Sequence, residues 1–116
     1  MHNFRDLKIW NRSIELAVDI YEVIKGFPTE EKYGLISQMR KCAVSIPSNI
    51  AEGAGRNSNG QFRQFLGISN GSSFELYTQL VLADKLNLIS DESVKKLLGE
   101  LEELQKMNYA LQESKR

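Results

Sequence analysis

Apolar residues recur at alternating steps of three and four positions near both ends of this chain. A helix turns by about 100° per residue, so this spacing places the residues on one side of a helix. Such a stripe is typical of a helix that packs within a bundle. The first stripe consists of Leu7, Trp10, Ile14, Ala17, Tyr21 and Ile24. The second, which includes one polar residue, consists of Val94, Leu97, Leu101, Leu104, Asn108 and Leu111.

Three short breaks divide the chain into four predicted helices. Each break contains a glycine or asparagine, and Thr29, Ser58 and Ser90 can each cap the helix that follows. Short loops force neighbouring helices to run in opposite directions. The sequence therefore predicts an all-α fold, a single antiparallel up-down-up-down four-helix bundle over residues 1–116. The predicted helices span residues 6–25, 30–54, 59–87 and 91–113.

The second predicted helix contains Pro47 in its interior. Proline lacks a backbone N–H and clashes with the preceding turn, so we expect a kink at this residue. Ser45 and Asn49 are near enough to hydrogen-bond backbone groups that the kink frees. The apolar stripe of this helix consists of Ile36, Met39, Ala43, Ile46, Ile50 and Ala54.

The first and third predicted helices carry more apolar surface than one bundle needs. The first has a second apolar stripe, about 110° around the helix from the stripe described above. The C-terminal half of the third is apolar almost all round. We expect a second subunit to cover this excess, so the sequence favours a homo-oligomer. The alternatives are that these residues fill a wide core within one subunit or lie scattered on its surface. The candidate interface residues are Ile9, Leu16, Ile20, Phe27, Phe74, Val81 and Leu82.

Two glycines, Gly67 and Gly71, interrupt the third predicted helix. Each costs about 1 kcal/mol relative to alanine in a helix interior. Residues four apart share a face, and glycine there permits two backbones to approach closely. We therefore expect close helix packing at this face, with a bend as the alternative.

The polar stripe of the second helix supports two interpretations. In the structural one, its polar groups satisfy one another, the kinked backbone and the next helix. That network consists of Gln38, Ser45, Asn49, Glu52, Glu75 and Gln79. In the other, the free N–H groups of the third helix and a local excess of basic residues bind an anion or nucleic acid. Those basic residues are Arg40, Lys41, Arg56 and Arg63.

Charge balance and the scarcity of reactive residues narrow the possible functions. The chain has 15 basic and 15 acidic residues, so its net charge is zero, whereas dedicated nucleic-acid binders are usually basic. His2 is the only histidine and Cys42 the only cysteine, so we expect no catalytic, cofactor or metal site. The lone cysteine, the absence of a secretory signal and the lack of a long apolar run predict a cytoplasmic protein without a membrane span.

Short motifs over residues 4–90 resemble one family. The most specific is the run from Ser45 to Gly53, SIPSNIAEG, followed by Gly55 and Arg56. The family comprises four-helix-bundle proteins related to the 23S ribosomal RNA intervening-sequence protein, some labelled S23 ribosomal protein. The other matching segments are Phe4–Leu7, Ile9–Trp10, Phe27–Pro28, Tyr33–Leu35, Gln38–Arg40, Phe62, Phe65–Leu66, Gly71–Ser72, Glu75–Leu76 and Thr78–Leu80.

The resemblance implies an antiparallel bundle that assembles into a homopentameric ring. A similar fold occurs in the accessory variability determinant of diversity-generating retroelements, a basic pentamer implicated in binding nucleic acid and a reverse transcriptase. The resemblance thus implies a non-catalytic module that associates with RNA or a nucleoprotein. The alternatives are a protein-interaction scaffold without nucleic-acid contact and a small-molecule site between subunits.

Overall fold

The computed structural model describes residues 3–31 and 34–116, so His2 and Tyr33 lie outside the described part of the chain. The described residues form four α-helices and no strand. The predicted all-α class is confirmed. The helices are α1, Lys8–Ile24; α2, Leu35–Ala54; α3, Asn59–Lys85; and α4, Asp91–Ser114.

These helices form an antiparallel four-helix bundle, as the short loops predict. Each helix packs against the next in chain order and α4 closes against α1, while the backbones of the diagonal pairs stay apart within the described residues. The described chain measures 43 × 24 × 19 Å. Its long axis matches α3, because the 27 residues of that helix span roughly 40 Å at about 1.5 Å per residue.

Side-chain caps begin α3 and α4 at the predicted serines. The Ser58 hydroxyl accepts the Gln61 N–H at 3.2 Å, and the Ser90 hydroxyl accepts the Ser93 N–H at 3.1 Å. Each bond satisfies a backbone donor that has no partner inside the helix. At the other end of α3, Asn87 adopts a positive φ of 59°. The Leu88 N–H then reaches the Ala83 carbonyl at 2.9 Å, which closes α3 in a Schellman arrangement.

The start predicted for the second helix is wrong by five residues. Thr29–Glu31 form a separate turn of 3-10 helix, and α2 begins at Leu35 after Gly34. A continuous helix from Thr29 would hold Gly34 in its interior, which costs about 1 kcal/mol relative to alanine. The acidic pair after Thr29 therefore favours a short turn rather than the helix itself.

The core-facing stripe of α1 is the second apolar stripe, about 110° from the predicted one, although Ile24 of the predicted stripe is buried as well. The buried residues of α1 are Ile9, Ser13, Leu16, Ile20 and Ile24. Two members of the predicted seam, Ile14 and Tyr21, are instead exposed. The prediction chose the wrong stripe because Ser13 interrupts the apolar run of the buried one. Its hydroxyl donates to the Trp10 carbonyl at 2.8 Å, so burial leaves no polar group unsatisfied.

A buried polar layer crosses the middle of the bundle. Asn108 of α4 is buried and donates to the Leu66 carbonyl of α3 at 2.9 Å. Ser69 of α3 donates to the Ile46 carbonyl of α2, also at 2.9 Å. The predicted seam of α4 is otherwise buried from Val94 to Asn108. Hydrogen bonds to backbone carbonyls fix how the helices align lengthwise, because sliding would leave these groups unpaired.

Pro47 is buried within α2, where it cannot donate to the preceding turn. The Asn49 amide donates to the Ser45 carbonyl at 2.9 Å and to the Ser45 hydroxyl at 3.0 Å. The carbonyl that Pro47 leaves without a donor is that of Ala43, four positions earlier, so the prediction that these side chains satisfy freed backbone groups is wrong for the Asn49 bonds. The kink itself stays a prediction.

Gly53 lies inside α2 where that helix crosses α3. A Cβ added to Gly53 would lie 2.8 Å from the Phe65 Cβ and 3.0 Å from the Phe62 ring. Real Cβ atoms do not approach other atoms so closely, so only glycine fits without displacement. The two helices are therefore packed closely where the SIPSNIAEG run ends, about one turn before Arg56.

We expect Gly53→Ala to destabilise the fold by about 1 to 3 kcal/mol, the range typical of overpacked cores. Gly99→Ala in α4 is the matched control, because no atom lies within 4 Å of its added Cβ. That control should stabilise the helix by up to about 1 kcal/mol. Urea unfolding of both variants measures the two effects, and equal changes in the same direction would contradict the close approach.

Glu100 of α4 supplies a pH-dependent test of the α1–α4 contact. Burial raises the pKa of this carboxyl, and the nearby Asp19 of α1 raises it further, while Lys96 opposes the shift. A carboxyl with a higher pKa in the folded chain favours the fold when protonated. Stability therefore falls as pH rises through that pKa.

We expect Glu100→Gln to raise the melting temperature at about pH 7, where the wild-type carboxylate is charged. The advantage should shrink as pH falls towards about 4, because the wild-type group then becomes neutral too. Thermal melts across this range measure the difference. Glu103→Gln, at an exposed position of the same helix, is the control, and an equal pH-dependent gain there would argue against the assignment.

Candidate functional site

The polar stripe of α2 lies along the seam with α3. The Ser45 hydroxyl is 2.8 Å from the Ser72 hydroxyl, and Asn49 bonds back to Ser45. One turn away, Cys42 lies 3.5 Å from both the Glu75 carboxylate and the Gln79 amide. These contacts join positions 42, 45 and 49 of α2 to positions 72, 75 and 79 of α3. Two predicted members lie outside this network: Gln38 is exposed near the start of α2, and Glu52 pairs with Arg56 instead.

Sequence reasoning missed Ser72 and Cys42 as members of this network. The signal that could have found Ser72 is its spacing, because residues three and seven positions further on share its side of a helix. Those residues are Glu75 and Gln79, both already predicted. Cys42 has the same spacing relative to Ser45 and Asn49. Two matching polar triplets on consecutive antiparallel helices predict that the helices face each other there.

The chemistry of this seam is structural. Burial raises the pKa of the Cys42 thiol, opposed by its bond to Gln79 and reinforced by Glu75. A thiol with a raised pKa is mostly protonated at neutral pH, and the protonated form is a poor nucleophile. Among the described residues, no three metal-binding side chains cluster together. The seam therefore holds α2 against α3 and offers no reactive group.

The four basic residues predicted to form one patch lie in two separate places. Arg40 packs over the Tyr21 ring at 5.7 Å, beside Lys41 near the start of α2. Arg56 and Arg63 lie beyond the other end of that helix. The separation is roughly 24 Å, because Arg56 is 16 positions after Arg40 and each position adds about 1.5 Å along a helix. The expectation of a single four-residue patch is wrong, because residues near in sequence here run along a helix.

The two arginines at the α2–α3 junction have different neighbours. Arg56 pairs with Glu52 at 3.1 Å and lies 4.7 Å from the centre of the Phe65 ring. Arg63 donates to the backbone carbonyl of Lys115, beyond the end of α4. The junction therefore brings together three segments that are far apart in sequence, the end of α2, the start of α3 and the end of α4.

The first-helix residues predicted to contact another subunit belong to the core of this one. Ile9, Leu16, Ile20 and Phe27 are all buried within the single chain. They cannot supply surplus surface, so this part of the interface prediction is wrong. The physical reason is the choice of stripe described above: both sides of α1 are apolar, and the bundle buries this one.

Surplus apolar surface is present on α1, but on its other side. Ile14, Val18 and Tyr21 are 37%, 57% and 39% exposed. Val44 of α2 lies beside them and is 47% exposed. A groove of about 320 Å³ between α1 and α2 adds to this surface. We call these four residues and the groove the α1–α2 face. The groove is lined by Phe4, Trp10, Ile14, Ala17, Val44, Pro47, Ser48 and Ala51.

A second apolar surface lies on the outer side of α3. Phe74 and Leu82 are 55% and 48% exposed, while Val81 is half-buried. Added Cβ atoms at Gly67 and Gly71 would meet no atom within 4 Å, so the predicted close packing at these glycines does not occur within the subunit. We call this surface the α3 face. Its exposed apolar residues are Ile68, Phe74, Leu82 and Leu86.

None of the four described helices has a stretch apolar enough, over the thickness of a bilayer, to span a membrane. Apart from Tyr109 of α4, which is 59% exposed, the large apolar residues exposed in the described chain lie on the α1–α2 face or on the α3 face. Grouped apolar side chains on the surface of a small domain usually mark sites of protein contact.

Comparisons with known proteins place this architecture. None of the curated proteins compared matches the chain. A crystal structure at 1.70 Å of a protein with unknown function, from the S23 ribosomal protein family of Bacteroides thetaiotaomicron VPI-5482, has the same fold. It is 24% identical, with a TM-score of 0.83 over 90% of this chain and 97% of the other. The sequence profile of the 23S rRNA-intervening sequence protein family matches residues 5–110. The chain belongs to that family.

Proposed function

We propose that this protein is a non-catalytic homo-oligomer, a ring of five subunits, that associates with RNA or an RNA–protein partner in the cytoplasm. The observation that carries the proposal is the presence of two different apolar faces on one subunit. The name of the family connects its members with intervening sequences of 23S rRNA, which makes RNA the proposed partner. Five is the subunit number that the resemblance in sequence implies.

The positions of the two faces favour a particular kind of assembly. The α1–α2 face and the α3 face lie on different sides of the bundle, because α1 and α3 are diagonal to each other. A two-fold dimer joins one face to its own copy and leaves the other exposed. A head-to-tail contact joins the two different faces and covers both in every subunit, which generates a ring when the rotation closes.

The glycines of α3 support the same arrangement. Gly67 and Gly71 each lower helix stability by about 1 kcal/mol relative to alanine. Nothing inside the subunit packs against them, and both lie on the α3 face, so the space beside them is open to a helix of another subunit. A neighbouring helix can approach the α3 face closely only where side chains are absent.

The reactive groups of the described chain support the non-catalytic part. Its single cysteine is buried and free, and a reduced thiol is typical of proteins from a reducing compartment. The buried polar side chains described above donate to backbone carbonyls: Ser13 within α1, Ser69 from α3 to α2, and Asn108 from α4 to α3.

We expect Val18→Glu and Leu82→Glu each to dissociate the assembly without unfolding the subunit, because both side chains are about half exposed and each charge would be buried in a contact. Light scattering should give a single-chain mass for each variant at micromolar concentration. Ala110→Glu, at an exposed position of α4, is the control and should keep the wild-type mass.

Mixing the two variants tests the head-to-tail arrangement. Val18→Glu keeps an intact α3 face and Leu82→Glu keeps an intact α1–α2 face, so a mixture can form one good contact. The mixture should therefore contain pairs of unlike chains and nothing larger. A two-fold contact would instead give pairs of like chains, because the variant that keeps the self-pairing face would dimerise with its own copy. A monomeric wild-type protein would overturn the proposed assembly.

Gly71→Ala should have opposite effects on the subunit and on the assembly. In the Val18→Glu background, where the chain is monomeric, alanine should raise the free energy of unfolding by up to about 1 kcal/mol. In the otherwise wild-type chain, the same methyl group should weaken association and raise the concentration at which the complex dissociates. Urea unfolding and concentration-dependent light scattering measure the two effects. Association unchanged by alanine would argue against a close contact at this glycine.

A further inference from the structure

Charge is unevenly distributed along the bundle, although the whole chain is neutral. The antiparallel topology brings the starts of α1 and α3 and the ends of α2 and α4 to one end, which we call the basic end. Counting loops, tails and the five helix residues nearest that end, it holds seven basic and three acidic residues. Its basic residues are Arg5, Lys8, Arg12, Arg56, Arg63, Lys115 and Arg116.

The opposite end has the reverse composition. Counted in the same way over the described residues, it holds six acidic and three basic residues. The acidic residues are Glu22, Glu30, Glu31, Asp84, Asp91 and Glu92, and the basic ones are Lys25, Lys85 and Lys95. The neutral chain therefore has poles of opposite sign, separated by most of its 43 Å length.

Contacts between the segments make the basic end one continuous surface. Lys8 of α1 and Ser114 of α4 line the same groove. Arg63 of α3 donates to the Lys115 carbonyl, and the Lys115 ammonium lies 5.6 Å from the centre of the Phe62 ring. Residues from both termini and from the middle of the chain thus meet at this end.

Most of the acidic charge at this end is already paired, and weakly. Glu52 pairs with Arg56 and Glu113 with Arg116, each at 3.1 Å, and all four side chains are well exposed. Exposed ion pairs contribute little and exchange readily for another anion. Within the described residues, Lys8 has no carboxylate within ion-pair distance, so its charge is available to a ligand.

We propose that the basic end binds the phosphate backbone of RNA, a proposal that rests on the RNA association proposed above. Rotation about a ring axis preserves the height of each subunit, so basic ends that point along the axis all lie on one side of the ring. A strand crossing that side meets the same positive surface several times. Repeated weak contacts then produce tight binding without any single deep site.

The experiment compares two lysines in matched positions at opposite poles. Lys8 is the first residue of α1 and Lys95 lies one turn into α4, and both are exposed. An acidic residue near a helix start is favoured by the helix dipole, so Lys8→Glu and Lys95→Glu should both fold. The probe is a fluorescently labelled single-stranded RNA of about 40 nucleotides, long enough to reach several phosphate contacts, titrated with each protein over a range of salt concentrations.

We expect Lys8→Glu to bind more weakly at low salt and to show a shallower dependence of affinity on salt. Each phosphate contact lowers the affinity about threefold when salt rises from about 50 to 200 mM. A variant that lacks one contact should therefore lose about threefold less affinity than the wild type over this range. Lys95→Glu should behave as the wild type. Light scattering on each variant checks that the assembly is intact. Should Lys8→Glu alter the mass, Arg116→Glu beyond the end of α4 replaces it.

The outcomes separate this proposal from the function on which it rests. Wild-type binding that Lys8→Glu and Arg116→Glu leave unchanged would overturn the basic-end proposal and leave RNA association standing. Equal weakening by Lys95→Glu would also overturn it, because the effect would then follow net charge alone. Absence of any salt-dependent binding by the wild type would overturn RNA association itself and leave a scaffold function.

Discussion

The close approach of α2 and α3 at Gly53 is the constraint on which the rest of the structure depends. Without a side chain at this residue, the two backbones can meet at the distance that the aromatic side chains of α3 require. The register fixed there continues along the seam, where Ser45 meets Ser72 and Cys42 meets Glu75. Once these two helices are locked, the sides of α2 and α3 that remain exposed are determined as well.

The class, topology and helix caps could be predicted from the sequence, whereas the orientation of α1 could not. Caps and stripes are local, because they depend on residues within one or two turns. The choice between two apolar sides of α1 is made by the neighbouring helices. The buried side of α1 contains the polar Ser13, whereas the exposed side contains the aromatic Tyr21. Judged by local apolar content alone, the exposed side was therefore assigned to the core. The α3 face could be predicted, because the C-terminal half of α3 is apolar almost all round and one side of it has to remain outside the bundle.

The charged surface shows the same limit in a different form. Arg40 and Arg56 are successive arginines in the sequence, yet Arg40 lies near the start of α2 and Arg56 lies beyond its end. Arg5 and Arg116 lie close to the two ends of the described chain, yet the antiparallel topology brings them to one pole. Overall neutrality concealed both facts, since a sum over residues contains no positions. The fold places the excess of basic residues at one end of the bundle and the excess of acidic residues at the other.

The buried thiol between α2 and α3 has a practical consequence for studying this protein. Cys42 is the sole sulfhydryl of the chain, and alkylating reagents react with thiolate that solvent can reach. Inside the closed seam the group is covered and protonated, so modification requires the two helices to separate. The rate of labelling at this sulfur therefore reports breathing motions of the bundle, with no dye or engineered tag needed.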